Sequence, residues 1–244
     1  MKIAFLSDIH GNAVALEAVL DDIQKQKVDR ICVLGDISYR GPEPKRALDM
    51  VRALGASVIK GNADEWTVRG VRAGEVPETM REMMNREQQW TRAGLTDEDV
   101  AWLDALPSEL VVSVSPTQSI HAFHATPDSL FEIVLPDKPT DELRDKQMSA
   151  HDASIYIYAH IHLPFVRYIG GKCLVNIGSV GLPFDGLPQA SYAIVQAEAN
   201  RHRVSIERVA YDVERVAKQY EESGYPNAET MIRVIRNATS PFGK

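Results

Sequence analysis

KIAFLSDIHGN, residues 2–12, is an apolar run that ends abruptly in acidic, imidazole and amide side chains. Lys2 to Leu6 reads as a buried strand, and Asp8 and His10 follow it directly. A helix begins at Asn12, with Leu16, Val19, Leu20 and Ile23 on one face. The same phrase then recurs. Arg30 to Leu34 is a second strand, ending at Gly35 and followed by Asp36. A helix over Pro44 to Leu54 accommodates its proline in the first turn. Ser57 to Lys60 is a short third strand, stopped by Gly61 and followed by Asn62. Strand, helix, strand, helix, strand implies a parallel sheet with right-handed crossovers.

Outward from this block the pattern changes. Residues 65–108 are polar, helical in period and rich in Met and Glu, which predicts an inserted helical pair covering the sheet or a lid over a substrate. Within it, Thr96 caps a helix carrying Val100, Leu103 and Leu106, closed by Pro107. Strand patterns return at Leu110–Val114, Ser119–Phe123, Ser154–Tyr158, Phe165–Ile169, Lys172–Val175, Tyr192–Val195 and Val204–Val209. So many strands in near succession predict an antiparallel or mixed second half. A helical extension starts at about Val213, with a frayed tail after Asn237. The expected organisation is one α/β (α+β) domain over residues 1–244 with a helical insertion.

The chemistry lies where the apolar runs stop. His124 follows SIHAF, and His160 and His162 follow IYIYA, just as Asp8, His10, Asp36 and Asn62 follow the first three strands. In open α/β sheets, ligands gather beyond the carboxyl ends of adjacent strands. Asp8 with His10 and His160 with His162 are each two apart, a spacing that aims both side chains to one side of an extended chain. One Asp at a strand end is usually a turn residue or helix cap, and His-x-His alone is a weak motif. Their joint occurrence is the signal. Two carboxylates, one amide oxygen and four imidazoles suit Mn²⁺, Fe or Zn²⁺ better than Ca²⁺. Seven ligands exceed one tetrahedral site and fit two metals that share a carboxylate.

Composition narrows the rest. A formal net charge of −7 without a basic stretch disfavours duplex nucleic acid as a partner. No segment approaches the ~18 apolar residues of a membrane span, and the N-terminal run is too short for a signal peptide. Cys32 and Cys173 lie in apolar runs and read as buried thiols, which suits a reducing cytoplasm. Oligomeric state is left open.

The runs SDIHGN (7–12), GDISYRGP (35–42), GNAD (61–64), HATP (124–127) and AHIH (159–162) resemble the calcineurin-like metallophosphoesterases, in particular their small bacterial and archaeal phosphodiesterase branch. The resemblance extends through LPFVRYIGGKCLVNIGSVGLPFDGLPQASYAIV (163–195). It implies a four-layer sandwich of two mixed β-sheets flanked by helices, with a dinuclear centre at one edge. Asp8, His10 and His162 would bind one cation, Asn62, His124 and His160 the other, and Asp36 would bridge them. Mn²⁺ is the first expectation, with Fe, Zn²⁺ or Ni²⁺ as alternatives. Arg40 falls at a phosphate-contacting arginine of the family's protein-phosphatase branch, or is an exposed turn residue. Asn176, Gly178 and Ser179 resemble a loop near the metals, and turn chemistry explains them equally well.

Three positions depart from the family pattern. Ala159 and Ala125 stand where glycine is common, and Ala63 stands where many members carry a histidine that assists the leaving group. The implied reaction is attack of metal-held hydroxide on phosphorus in a small phosphate ester, most readily a diester. With Ala63, leaving-group protonation is in question; His121 and Asp128 are weak substitutes, and Ala63→His should favour poor leaving groups. The alternatives are a metal-binding interaction scaffold of the same fold and a phosphomonoesterase or nucleotide pyrophosphohydrolase.

Overall fold

In the computed structural model, which describes residues 1–199 and 201–241, successive residues of β1 (Lys2–Leu6) bury into different cores. Ile3 and Phe5 join one apolar cluster, and Ala4 and Leu6 another. A strand buried on both faces needs an unbroken apolar run, which is why KIAFL does not alternate with polar residues. α1 (Ala13–Gln26) and α2 (Pro44–Ala53) supply Leu16, Val19, Ile23, Leu48 and Val51 to the Ala4/Leu6 side. Asn12 caps α1 by accepting from the Ala15 amide at 3.0 Å.

β1 pairs in parallel with β2 (Arg30–Val33), and β2 with β3 (Ser57–Val58). β9 (Ala190–Glu198) and β10 (Arg201–Val209) complete this sheet antiparallel, in the order β10-β9-β1-β2-β3. The second sheet runs β4-β5-β6-β8-β7, from β4 (Glu109–Ser115), β5 (Gln118–Phe123), β6 (Ile155–Tyr158), β7 (Phe165–Ile169) and β8 (Lys172–Asn176). It is mixed, because β5-β6 and β6-β8 are parallel while both edge pairs are antiparallel. The faces of the two sheets meet through Ile3, Phe5, Leu34 and Val195 against Ile120, Ala122, Ile155 and Val175. Cys32 and Cys173 are free thiols in this shared core, and burial pushes the Cys32 thiol up to about 11. The fold is thus the α/β sandwich of two mixed five-stranded sheets expected from the sequence.

Two details differ from expectation. The region after β3 holds three helices rather than two: α3 (Asn62–Arg69), α4 (Glu78–Ala93) and α5 (Asp97–Asp104). α3 starts at a predicted ligand, so the polar periodicity of the insertion concealed where it begins. A short helix, α6 (Thr140–Gln147), also crosses the stretch between β5 and β6. Leu95 and Leu103 pack into the α1/α2 core, and Trp90 packs against Tyr225, so the insertion is fastened to both ends of the chain. α7 (Val213–Glu222) and α8 (Ala228–Asn237) form the C-terminal extension; of the tail expected to fray, residues 242–244 lie outside the described residues.

Candidate metal centre

The parallel strands of both sheets end at one rim, but not side by side in a single sheet. Asp8, His10, Asp36 and Asn62 come from the loops after β1, β2 and β3, while His124, His160 and His162 come from those after β5 and β6. The convergence also differs from strand alternation. Asp8, His10, Asp36, Arg40, His160 and His162 all adopt positive φ, between 50° and 76°. Non-glycine residues in the left-handed region cost on the order of 1–3 kcal/mol each and persist where surrounding contacts dictate them. Sharp left-handed turns, not extended chain, bring each i, i+2 pair to a common point.

Glycines allow the loops to approach. A Cβ on Gly61 would lie 2.1 Å from Asp36 Oδ1, and one on Gly35, at φ +89°, would lie 2.2 Å from the Gly61 amide nitrogen. This closeness sets Asp36 against the start of α3, where the Ala63 amide donates to Asp36 Oδ1 at 2.7 Å. The helix dipole favours the carboxylate there.

Three imidazoles are oriented alike. His10 Nδ1 is 2.9 Å from the Tyr39 carbonyl, His124 Nδ1 is 2.7 Å from that of Leu34, and His162 Nδ1 is 2.5 Å from that of Leu182. A carbonyl only accepts, so each Nδ1 carries a proton and each Nε2 faces the rim, where it is the nitrogen left to bind a cation. Those nitrogens face other polar atoms. His10 Nε2 and His162 Nε2 are 3.2 Å apart, and His162 Nε2 is 3.1 Å from Asp8 Oδ1. Asp36 Oδ2 lies 3.6 Å from His10 Nε2 and 3.5 Å from His124 Nε2, which in turn is 2.8 Å from Asn62 Oδ1. His160 completes the set, its ring 5.2 Å from that of His124 and its amide donating to Asp8 Oδ2 at 3.2 Å. Asp8 Oδ1 and His160 Nε2 are buried and make no hydrogen bond among the described residues.

Carboxylate, amide and imidazole groups converging this closely in a buried rim call for positive charge, supplied by ring protons or by cations. Burial alone would raise the Asp8 and Asp36 carboxyls, yet the imidazoles around them hold both below the usual carboxylate range. His124 shows the converse: burial opposes its charge, but Asp36 and then Asp8 draw its pKa up to about 9. His160, buried and beside His124, is pushed down to about 4. The donor set therefore fits divalent cations. The ligand atoms of Asp8, His10 and His162 lie within 4.8 Å of one another, as do those of Asp8, Asp36 and His124.

The family description "Calcineurin-like phosphoesterase superfamily domain" matches residues 1–200. The chain belongs to the calcineurin-like phosphoesterase superfamily. An uncharacterized protein of Methanocaldococcus jannaschii is 29% identical over 241 residues, spanning 92% of this chain and 93% of its own. A crystal structure of a metallophosphoesterase from Sphaerobacter thermophilus is 28% identical and has a TM-score of 0.78, covering 98% of this chain and 99% of its own. That of a hypothetical protein from Pyrococcus horikoshii, 23% identical, shares the fold at a TM-score of 0.83 over 96% of this chain and 97% of its own.

Within this superfamily member, two residues flanking the rim, Asp64 and Phe184, lacked an obvious sequence signal. Asp64 is fully buried and accepts from the amides of Asp36 at 2.7 Å, Gly61 at 2.9 Å and Ile37 at 3.0 Å. Burial and the neighbouring Asp36 charge raise its carboxyl to about 6. Its signature is the Gly-x-x-Asp spacing of a helix start, a relative of the capping box. Phe184 stacks on the His162 ring at 4.3 Å, with nothing in its sequence context to mark it. Ser179 Oγ donates to the Asp8 carbonyl at 2.7 Å, and Asn176 Nδ2 donates to the Ala159 carbonyl at 2.6 Å. These two side chains buttress the ligand loops, while Gly178 adopts positive φ in the turn between them.

Other expectations are corrected. Arg40 is not an exposed turn residue: it is buried, its Nε sits 3.3 Å from Glu87 of α4, and its carbonyl accepts from Tyr220 of α7 at 2.6 Å. His121 points to the opposite face of the second sheet and pairs with Glu109 at 2.8 Å. It is no candidate for protonating a leaving group at the rim. Asp128 is exposed in the turn after His124. Ala63 lies buried in a cluster with Tyr39, Trp66, Val71 and Met84.

Proposed function

We propose that this phosphoesterase is a dinuclear phosphodiesterase acting on a small phosphate ester. Asp8, His10 and His162 would hold one cation, Asn62, His124 and His160 would hold the second, and Asp36 would be shared by both. The observation that carries this reading is the placement of Asp36 Oδ2 between His10 Nε2 and His124 Nε2, 3.6 and 3.5 Å away. Mn²⁺ suits the carboxylate and amide oxygens of both sites, with Fe, Zn²⁺ or Ni²⁺ tolerated by the imidazoles. When bound, such a pair supplies Lewis acidity and an activated water for in-line displacement at phosphorus.

The chain's own groups do the rest. Backbone carbonyls orient His10, His124 and His162, so that these three imidazoles need not turn as cations load. The Ala63 and Asp64 contacts fix the Asp36 carboxylate in the same way. No proton donor stands at position 63, and general-acid catalysis is worth ~10²–10⁴-fold. The enzyme therefore prefers esters whose leaving groups are already acidic. Arg40 is assigned to holding the loop after β2 against Glu87 rather than to contacting phosphate.

Hydrolysis of bis(p-nitrophenyl) phosphate with added Mn²⁺ tests the proposal. Turnover abolished by a chelator and restored by Mn²⁺ supports it. Stoichiometric Mn²⁺ binding without turnover would instead assign the fold to a metal-binding scaffold. A higher rate on monoesters or dinucleotides than on diesters would reassign the substrate class.

A further inference from the structure

Outside the rim, one further group of metal-ligating side chains comes together among the described residues, on the outer face of the second sheet. Along β5, Ile120 and Ala122 point into the core between the sheets, while His121 and Phe123 point away from it, beside Tyr156. In the β4-β5 register Val111 faces His121 and Glu109 faces Phe123, so Glu109 is a diagonal neighbour of His121. Long side chains reach across that diagonal. His151 arrives from the loop between α6 and β6. The loop is pinned by Tyr156, whose hydroxyl donates to the His151 carbonyl at 2.7 Å and accepts from the Ala153 amide at 2.9 Å.

We propose that Glu109, His121 and His151 form a separate site for one Zn²⁺ or similar first-row transition cation. Glu109 presents one oxygen to each imidazole: Oε2 is 2.8 Å from His121 Nε2, and Oε1 is 3.5 Å from His151 Nε2. All three ligand atoms lie within 4.8 Å of one another. Tetrahedral zinc with bonds of 2.0–2.1 Å separates neighbouring ligand atoms by roughly 3.3 Å, so only small side-chain shifts are needed. Two imidazoles and a carboxylate are a donor set zinc favours, with a fourth position for water. The burial pattern suits entry from solvent. His121 is fully buried and forms the floor, whereas Glu109 and His151 stand 40% and 45% exposed at the mouth. Burial also holds the His121 pKa below its ordinary value, with Glu109 opposing, and a bound cation would take the place of the Nε2 proton that now faces Glu109. His121 precedes the rim ligand His124 by three residues, about 10 Å of strand, and faces the other way. The bound ion would tie the loop carrying His151 to the edge strand β4.

The test is zinc counting by equilibrium dialysis of the full chain, comparing the wild type with His151→Ala and Asp36→Asn. His151 is exposed, so its removal leaves the fold intact. The expected result is one zinc equivalent fewer in His151→Ala, with bis(p-nitrophenyl) phosphate hydrolysis unchanged, and that equivalent retained in Asp36→Asn. Equal zinc content in the wild type and His151→Ala would overturn the proposal. Equal content in the wild type and Asp36→Asn would instead count against the rim assignment, so the two failures are distinct. Glu109→Gln repeats the test from the other side of the site: it too should lose one equivalent, and its keeping all of them would likewise contradict the proposal.

Discussion

At the first sheet's rim, Asp36 is held by that sheet's own loops and by the start of α3. The Ala63 amide donates to its carboxylate, and Asp64 gathers the amides of Asp36, Ile37 and Gly61. At the second sheet's rim the proposed ligands lean across. His124 rests its Nδ1–H on the Leu34 carbonyl of the first sheet, and the His160 amide donates to Asp8. The first sheet supplies both carboxylates and the amide oxygen; the second supplies imidazoles alone. The difference teaches an order of dependence. Damage on the carboxylate side should propagate across the rim, and damage on the imidazole side should stay local.

The widest expected effect tests that order. Asp36→Asn removes the charge both halves share, so both cation affinities should fall and diester hydrolysis should drop on the order of 10²–10³-fold. His160→Ala should cost one cation and leave the other, as read by metal content after dialysis. If the two variants lost metal equally, the asymmetry would be wrong. Glu87→Gln comes next. It strips the countercharge from buried Arg40, and breaking a buried pair costs about 3 kcal/mol of stability. Thermal melts should show the loss while KM for a diester holds; a raised KM with an unchanged melt would return Arg40 to the substrate.

Asp64→Ala touches no ligand directly, yet it frees the amides that place Asp36. Metal affinity should weaken roughly 10–100-fold, the usual scale for losing a ligand's supporting hydrogen bonds. A titration indistinguishable from wild type would show that the α3 start does not position the carboxylate. The smallest effect is expected of Ala63→His. Overpacking beside Trp66 and Met84 should cost about 1–3 kcal/mol, with no faster release of poor leaving groups. Faster hydrolysis of alkyl esters, measured against nitrophenyl esters, would show that the position is open to substrate after all.

Much of this was legible in the sequence, and the gaps have physical causes. The ligand positions stood out because each follows an apolar strand that must be buried, so its polar successor marks the strand's end. Their mutual placement was less legible. Periodicity shows where a strand stops, but not that β1–β3 and β5–β6 belong to facing sheets, nor that Asp8 and His10 turn through positive φ. Arg40 was misread as a possible exposed residue because its partner Glu87 lies in the insertion, whose polar pattern hides one buried carboxylate among many exposed ones. Asp64 escaped because one Asp after a Gly-Asn pair resembles any helix start. The Glu109–His121–His151 group could not be found without the β4-β5 register and the path of the loop before β6, which together set residues 12 and 42 positions apart in one place.

The most direct measurement is anomalous diffraction from crystals grown with excess Mn²⁺. Two peaks about 3.5–4 Å apart, one on each side of Asp36, are the expected result. A single peak, or density that leaves Asp36 uncoordinated, would contradict the shared centre.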